Sequence, residues 1–299
     1  MTRATSRLVR AAAGLTLGAS AARGLWTVAV QRPPGGPARW QRVNHRGEPL
    51  TLLEGPVMAG ALAVGALLTT GMSARVRVAA AVAAAGAGGV GVLDDLAERG
   101  ASKGLRGHLS ALRRGEITTG VIKIAGLAAT GLTVAAVVRD RQQGRGSGGA
   151  PRPTAGATVG PVGGLLQWGL DACLVAGTAN VANLLDLRPG RCLKAGLLAA
   201  PASLSAGAAA PLVAVTTGAA LALLPTDLAE RAMLGDGGAN ALGAVLGTAV
   251  VVGAPPRTRA AALAAVVGLT LLSERVSFTR VIESTPVLRE LDALGRRPR

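Results

Sequence analysis

Tyrosine is absent from this 299-residue chain and phenylalanine occurs once, so the arginine-rich composition has no aromatic platform to accompany it. Despite a net charge of +16, nucleic acid is therefore not expected as a partner. Cysteine is almost as scarce. Cys173 and Cys192 stand alone, with no CxxC pair and no histidine at ligand spacing, and they read as structural thiols rather than as a zinc site or a disulfide. The two histidines, His45 and His108, each read as solvated loop residues. Acids number 16 against 32 lysines and arginines, so every carboxylate beside an apolar run asks for a reason.

What the chain has in abundance is apolar. Hydrophobic residues make up 49% and charged residues only 16%, with a mean hydropathy of +0.42, which fits several membrane spans better than a soluble core. Windows long enough to cross about 30 Å of hydrocarbon as helix recur at 8–30, 50–71, 76–93, 120–138, 161–183, 193–209, 210–225, 239–254 and 259–277. The expected fold is all-α, a polytopic integral membrane helix bundle of about nine transmembrane helices. Alanine and glycine suit close helix packing in lipid. Arginine and lysine are denser in the connections after the first, third, fifth and seventh windows and in the tail, which by the positive-inside rule sets the N-terminus outside and the C-terminus in the cytoplasm. Arg3, Arg7 and Arg10 ahead of an apolar run ending in ASAARG also resemble a cleavable secretory signal.

The chain reads as one membrane-embedded domain over 1–299, with no internal repeat. Residues 139–160, rich in Gly, Pro and Arg, read as a flexible external loop. Residues 280–299 read as an amphipathic cytoplasmic tail, with Thr285 as N-cap, Pro286 at the first helical position, and Val287, Leu288, Leu291 and Leu294 on one stripe. Such a helix lies on the membrane surface or packs on the protein's own loops.

Four constellations stand on the expected cytoplasmic side. GVLDDL ends an apolar run with Asp94 and Asp95, where the helix dipole and a low-dielectric boundary both disfavour acids, so a cation should compensate: a divalent or phosphate-bound metal, or the arginines that follow. TANVANLLDL places Asn180, Asn183 and Asp186 within about a third of a helix circumference, for interhelical hydrogen bonding or for a ligand. MLGDGGANALG flanks Asp236 with glycines that let a ligand approach the backbone at a helix N-terminus, or simply make a turn. Lys123 opens the fourth window, snorkelling to the interface or reaching a phosphate. Asp171 lies inside a window with no partner legible in the sequence.

In this order, Asp-Asp after the third span, a lysine opening the fourth, NxxNxxD closing the fifth and a glycine-flanked GD before the eighth, the chain resembles the polyprenyl-phosphate N-acetylhexosamine-1-phosphate transferases, the superfamily of the phospho-N-acetylmuramoyl-pentapeptide transferase of peptidoglycan synthesis. The resemblance implies Mg²⁺-dependent transfer of a sugar-1-phosphate from a UDP-sugar to a membrane polyprenyl phosphate, releasing UMP, in cell-wall biogenesis at the plasma membrane. It implies that Asp236 holds Mg²⁺, that Asp94 or Asp95 manages the acceptor phosphate or joins the metal site, that Asn183 and Asp186 orient the nucleotide diphosphate with Asn180 beside them, and that Lys123 binds phosphate. It is compatible with a homodimer.

The chain departs from the family in three places. Leu187 replaces the glycine of NxxNxxDG, the usual KxxGQ reads Lys123-Ile124-Ala125-Gly126-Leu127, and the family's histidine-rich loop reads SERVSFTRVIE. The family's sugar specificity therefore does not transfer. A rival expectation is a transferase-derived protein without catalysis, acting as a membrane scaffold or lipid-binding partner in envelope assembly.

Overall fold

The computed structural model describes residues 3–97, 113–115, 118–143, 161–204 and 207–298. Eleven α-helices are found among them: α1 Arg3–Gln31, α2 Glu54–Leu68, α3 Ala74–Ala97, α4 Thr119–Gln143, α5 Pro161–Leu185, α6 Arg191–Leu204, α7 Ala210–Leu228, α8 Gly235–Gly253, α9 Pro256–Ser273, α10 Phe278–Ser284 and α11 Pro286–Ala293. The architecture is that of an all-helical membrane bundle.

Helices α1 to α9 each overlap one of the nine expected windows. By length and composition, however, only α3, α4, α7 and α8 are apolar enough to cross a membrane, and α9 joins them if it is taken with α10 as one bent unit. The shortfall has plain causes. Helix α2 has 15 residues and α6 has 14, short of the roughly 20 that a span needs. Helix α1 carries Arg10 and Arg23, and α5 carries Asp171. Helix α4 runs to Gln143, into the stretch read as an external loop; the rest of that stretch, like His108, lies outside the described residues.

Small residues decide how closely the helices approach. A Cβ on Gly18 of α1 would lie 2.0 Å from the carbonyl oxygen of Val215 in α7, and one on Gly218 of α7 would lie 2.0 Å from that of Leu15, so the two backbones cross in reciprocal contact. Helix α3 buries Ala79, Ala80, Ala83, Ala84, Ala87, Gly88 and Gly91 at helical spacing. That stripe packs on α8, the most enclosed helix, which also meets α2, α5 and α6.

A short antiparallel hairpin was not foreseen in the sequence. Strand β1, Gln41–Val43, pairs with β2, Pro49–Thr51, turning at Gly47 with φ +80°. Beyond it, Thr51 donates its N–H to Arg231 O and accepts that of Met233, which stitches the hairpin to the segment entering α8. In that segment Glu230 holds φ +56°, a conformation that costs a non-glycine residue of order 1–3 kcal/mol. Asn44 donates to its carboxylate at 2.9 Å and Arg46 pairs with it at 3.6 Å, over-determining the turn.

Candidate functional site

The acids at the end of α3 meet the start of α8 directly. Gly91 permits it: a Cβ there would lie 2.2 Å from the backbone oxygen of Asp236. One turn on, the Asp95 carboxylate accepts the N–H of Asp236 at 3.0 Å and of Gly237 at 2.9 Å. Helix α8 has no side-chain cap of its own at Leu234, so an acid from another helix satisfies its unpaired donors and meets the positive end of its dipole. Gly235, at φ +60°, turns the chain into α8 so tightly that a Cβ would lie 2.8 Å from Asp95 Oδ2.

Lys123, in the first turns of α4, bridges the other two acids. Its Nζ pairs with Asp236 Oδ2 and lies 3.4 Å from Asp94 Oδ2. The awkward charge at the end of α3 is also met from the hairpin, where Arg42 Nη2 donates to the carbonyl oxygen of Asp95 at 2.6 Å. Among the described residues, the compensating cations are thus Lys123 and Arg42, an arginine that precedes the acids in sequence.

Asp186, just past α5, completes the ring. Its carboxyl lies near the backbone N–H of Gly235, and its Oδ2 is buried with no partner. Burial pushes this carboxyl well above the usual range, and the charges of Asp227, Asp236 and Asp95 push the same way. Asn183 is half-buried on the same turn, its side chain making no hydrogen bond among the described residues. Asn180 goes elsewhere: its Nδ2 donates to Thr270 Oγ1 of α9 at 3.3 Å, the interhelical alternative. Asp171 gains its explanation too, accepting from Arg259 at 2.7 Å and Gln167 at 2.9 Å within the bundle.

Two further acids belong to this end of the bundle and were missed in the sequence. Glu54, opening α2, is 0% exposed with both carboxylate oxygens unpartnered, and the charges of Asp227 and Asp186 act on it. Asp227, near the end of α7, lies near the backbone N–H of Gly190 and has its Oδ2 buried without a partner. The signal that marked Asp94, an acid where an apolar run ends, was equally present in TLLEGP and LLPTDL. Next to the Asp186 turn opens an apolar cleft of about 190 Å³ between α5, α6, α8 and α9, lined by Val181, Leu185, Cys192, Leu242, Leu246 and Val266 among others.

Hard oxygen donors of this kind suit Mg²⁺. Among the described residues no three Asp, Glu, His or Cys side chains converge to hold an ion by themselves. Mg²⁺ commonly takes one or two carboxylates and completes its shell with water and substrate phosphate oxygens, and Asp94 with Asp236 fits that arrangement. No family model matches the chain, and no curated protein matches it either.

Proposed function

We propose that this protein transfers a sugar-1-phosphate from a UDP-sugar to a polyprenyl phosphate, as a multi-pass protein of the plasma membrane with about nine spans, its N-terminus outside and its site and C-terminus facing the cytoplasm, supplying a lipid-linked sugar for envelope glycan synthesis. One observation carries the reading: motifs far apart in sequence close on the first turn of α8 through the Lys123–Asp236 and Lys123–Asp94 pairs and the Asp95 cap, with the Asp186 carboxyl near Gly235.

In the reaction an oxygen of the acceptor phosphate forms a bond to the phosphorus that bears the sugar, and the bond from that phosphorus to the bridging oxygen of the diphosphate breaks. UMP leaves with the bridging oxygen. Mg²⁺, when bound, supplies neutralisation of the diphosphate charge. Asp94 and Asp236 would hold it together with the phosphate oxygens. Lys123, already between them, swings its ammonium onto the phosphates as they arrive. Asp95 fixes the N-terminus of α8, so that Asp236 is aimed before substrate binds. Asp186 and Asn183 would orient the nucleotide diphosphate, and the apolar cleft that begins at the neighbouring Leu185 suits the acceptor's hydrocarbon chain.

The purified protein, incubated with polyprenyl phosphate, Mg²⁺ and a panel of UDP-sugars, should yield a lipid-linked sugar detectable by mass spectrometry with at least one donor. A chain that binds polyprenyl phosphate but makes no product with any donor is the scaffold instead.

A further inference from the structure

The end of the chain turns away from the bundle and is then pinned in a fixed orientation. Helices α9 and α10 meet at 96°, so a chain leaving the membrane along α9 runs next along the membrane plane. Thr285 then occupies the N-cap position of α11, with Pro286 first in the helix, but its hydroxyl donates back to Val281 O rather than capping α11.

One flank of α11 is clamped to the start of α6. Asp292 takes a bidentate pair from Arg191 at 2.8 and 2.9 Å and a further bond from Arg296 at 2.6 Å. Arg191 also reaches Thr279 Oγ1 at 2.9 Å. Lys194 Nζ gathers the backbone oxygens at the end of α11, those of Leu291, Asp292 and Leu294, at 3.1, 2.6 and 3.0 Å. Past Gly295, at φ +74°, Arg296 donates to Pro189 O at 2.8 Å and Arg297 pairs with Glu48 of the hairpin at 2.5 Å.

With that flank fixed, α11 cannot roll its apolar stripe inward. Val287 and Leu294 remain 67% and 68% exposed, and Leu288 and Leu291 are exposed with them. Four large apolar side chains along eight residues, with Arg289 on the far side, form the pattern of a helix that lies in a bilayer interface. The stripe lies one short helix beyond α9, whose Val267, Leu269, Leu271 and Leu272 are also exposed apolar surface. Residues 274–299 carry six arginines against four acids, which favours an anionic leaflet.

We infer that α11 is a two-faced strap: its Asp292 flank clamps the start of α6, and its Val287, Leu288, Leu291 and Leu294 stripe beds in the headgroup region of the phospholipid bilayer. The clamped residues, Arg191 and Lys194, open the helix that follows the Asp186 turn, so lipid contact by the strap holds that turn against the site. The strap needs only the membrane bundle and holds whether or not the site transfers a sugar phosphate.

The experiment uses the full chain with Cys173→Ser, leaving the buried Cys192, in nanodiscs of phosphatidylcholine and phosphatidylglycerol. The parent should take up no thiol-reactive dye. Single substitutions Leu291→Cys and Leu294→Cys on the stripe, and Arg289→Cys and Ala293→Cys away from it, carry an environment-sensitive fluorophore. Nitroxide-bearing lipid should quench the stripe positions severalfold more than the other two, and aqueous iodide the reverse. Adding Asp292→Ala should release the clamp and level the two faces. The strap is overturned if lipid quenches all four positions alike in the clamped protein, if iodide reaches the stripe freely, or if neither quencher reaches it because another protein covers it. It is equally overturned if Asp292→Ala leaves the facial difference unchanged.

Discussion

The carboxylate of Asp95, at the end of α3, accepts the backbone N–H of Asp236, at the start of α8, at 3.0 Å. One residue thus caps a helix to which it is not joined, and the acid it positions is the one that pairs with Lys123. Removing the cap should cost what other helix caps cost, about 1–2 kcal/mol. Asp95→Ala is expected to lower the unfolding midpoint accordingly, while Asp95→Asn, which keeps one acceptor, should lose less. Thermal unfolding in detergent, read by circular dichroism, checks both.

Gly91 should tolerate nothing larger. A Cβ 2.2 Å from the Asp236 oxygen must push the α3 and α8 backbones apart. Gly91→Ala is expected to destabilise by about 1–3 kcal/mol, as overpacking does, and to cut activity by displacing Asp236. Gly89, with open space around its Cβ position, is the control, and Gly89→Ala should leave both unchanged.

Much of this end of the bundle was legible in the sequence because its cost is local. An acid that ends an apolar run, as in GVLDDL, is electrostatically awkward whatever surrounds it, and glycines beside Asp236 announce a close approach. The nine apolar windows likewise located α1 to α9. What could not be read was pairing. Nothing in TANVANLLDL says that Asn180 turns to Thr270 while Asp186 turns to Gly235, since both lie on one stripe and only the neighbouring helices separate them. The hairpin was hidden by its three-residue strands, too short to show alternation. The tail stripe was visible, but not its clamp, because Arg191 and Asp292 lie a hundred residues apart in the chain.

Lys123 and Asp236 should be energetically coupled. A double-mutant cycle with Lys123→Met and Asp236→Asn is expected to give an interaction energy of about 1–3 kcal/mol, because Lys123→Met leaves Asp236 without its cation in a largely shielded position, while Asp236→Asn leaves Lys123 only its longer contact with Asp94. Additive effects, measured by denaturation of the four proteins, would place the two groups apart.

The strap clamp should fail in acid. Burial alone would raise the Asp292 carboxyl, but the hydrogen bonds and charge of Arg191, with Arg296 and Lys194 behind, outweigh it and hold it below the usual aspartate value. The unfolded chain then binds more protons than the folded one as pH falls, so the contribution is complete above the unfolded value of about 3.9 and is lost as pH drops through the lower folded value. The difference in unfolding midpoint between wild type and Asp292→Asn should be constant from about pH 7 to pH 5 and close below about pH 4.

The most direct measurement is UMP release by the purified protein with polyprenyl phosphate, Mg²⁺ and each of a panel of UDP-sugars, for wild type beside Asp236→Asn and Lys123→Met. The expected result is Mg²⁺-dependent release with one donor class, reduced by about a hundredfold or more in either variant, in the range seen when one electrostatic group is removed from such a site. Release that both variants sustain at the wild-type rate, or no release with any donor, would contradict the transferase site built on the first turn of α8.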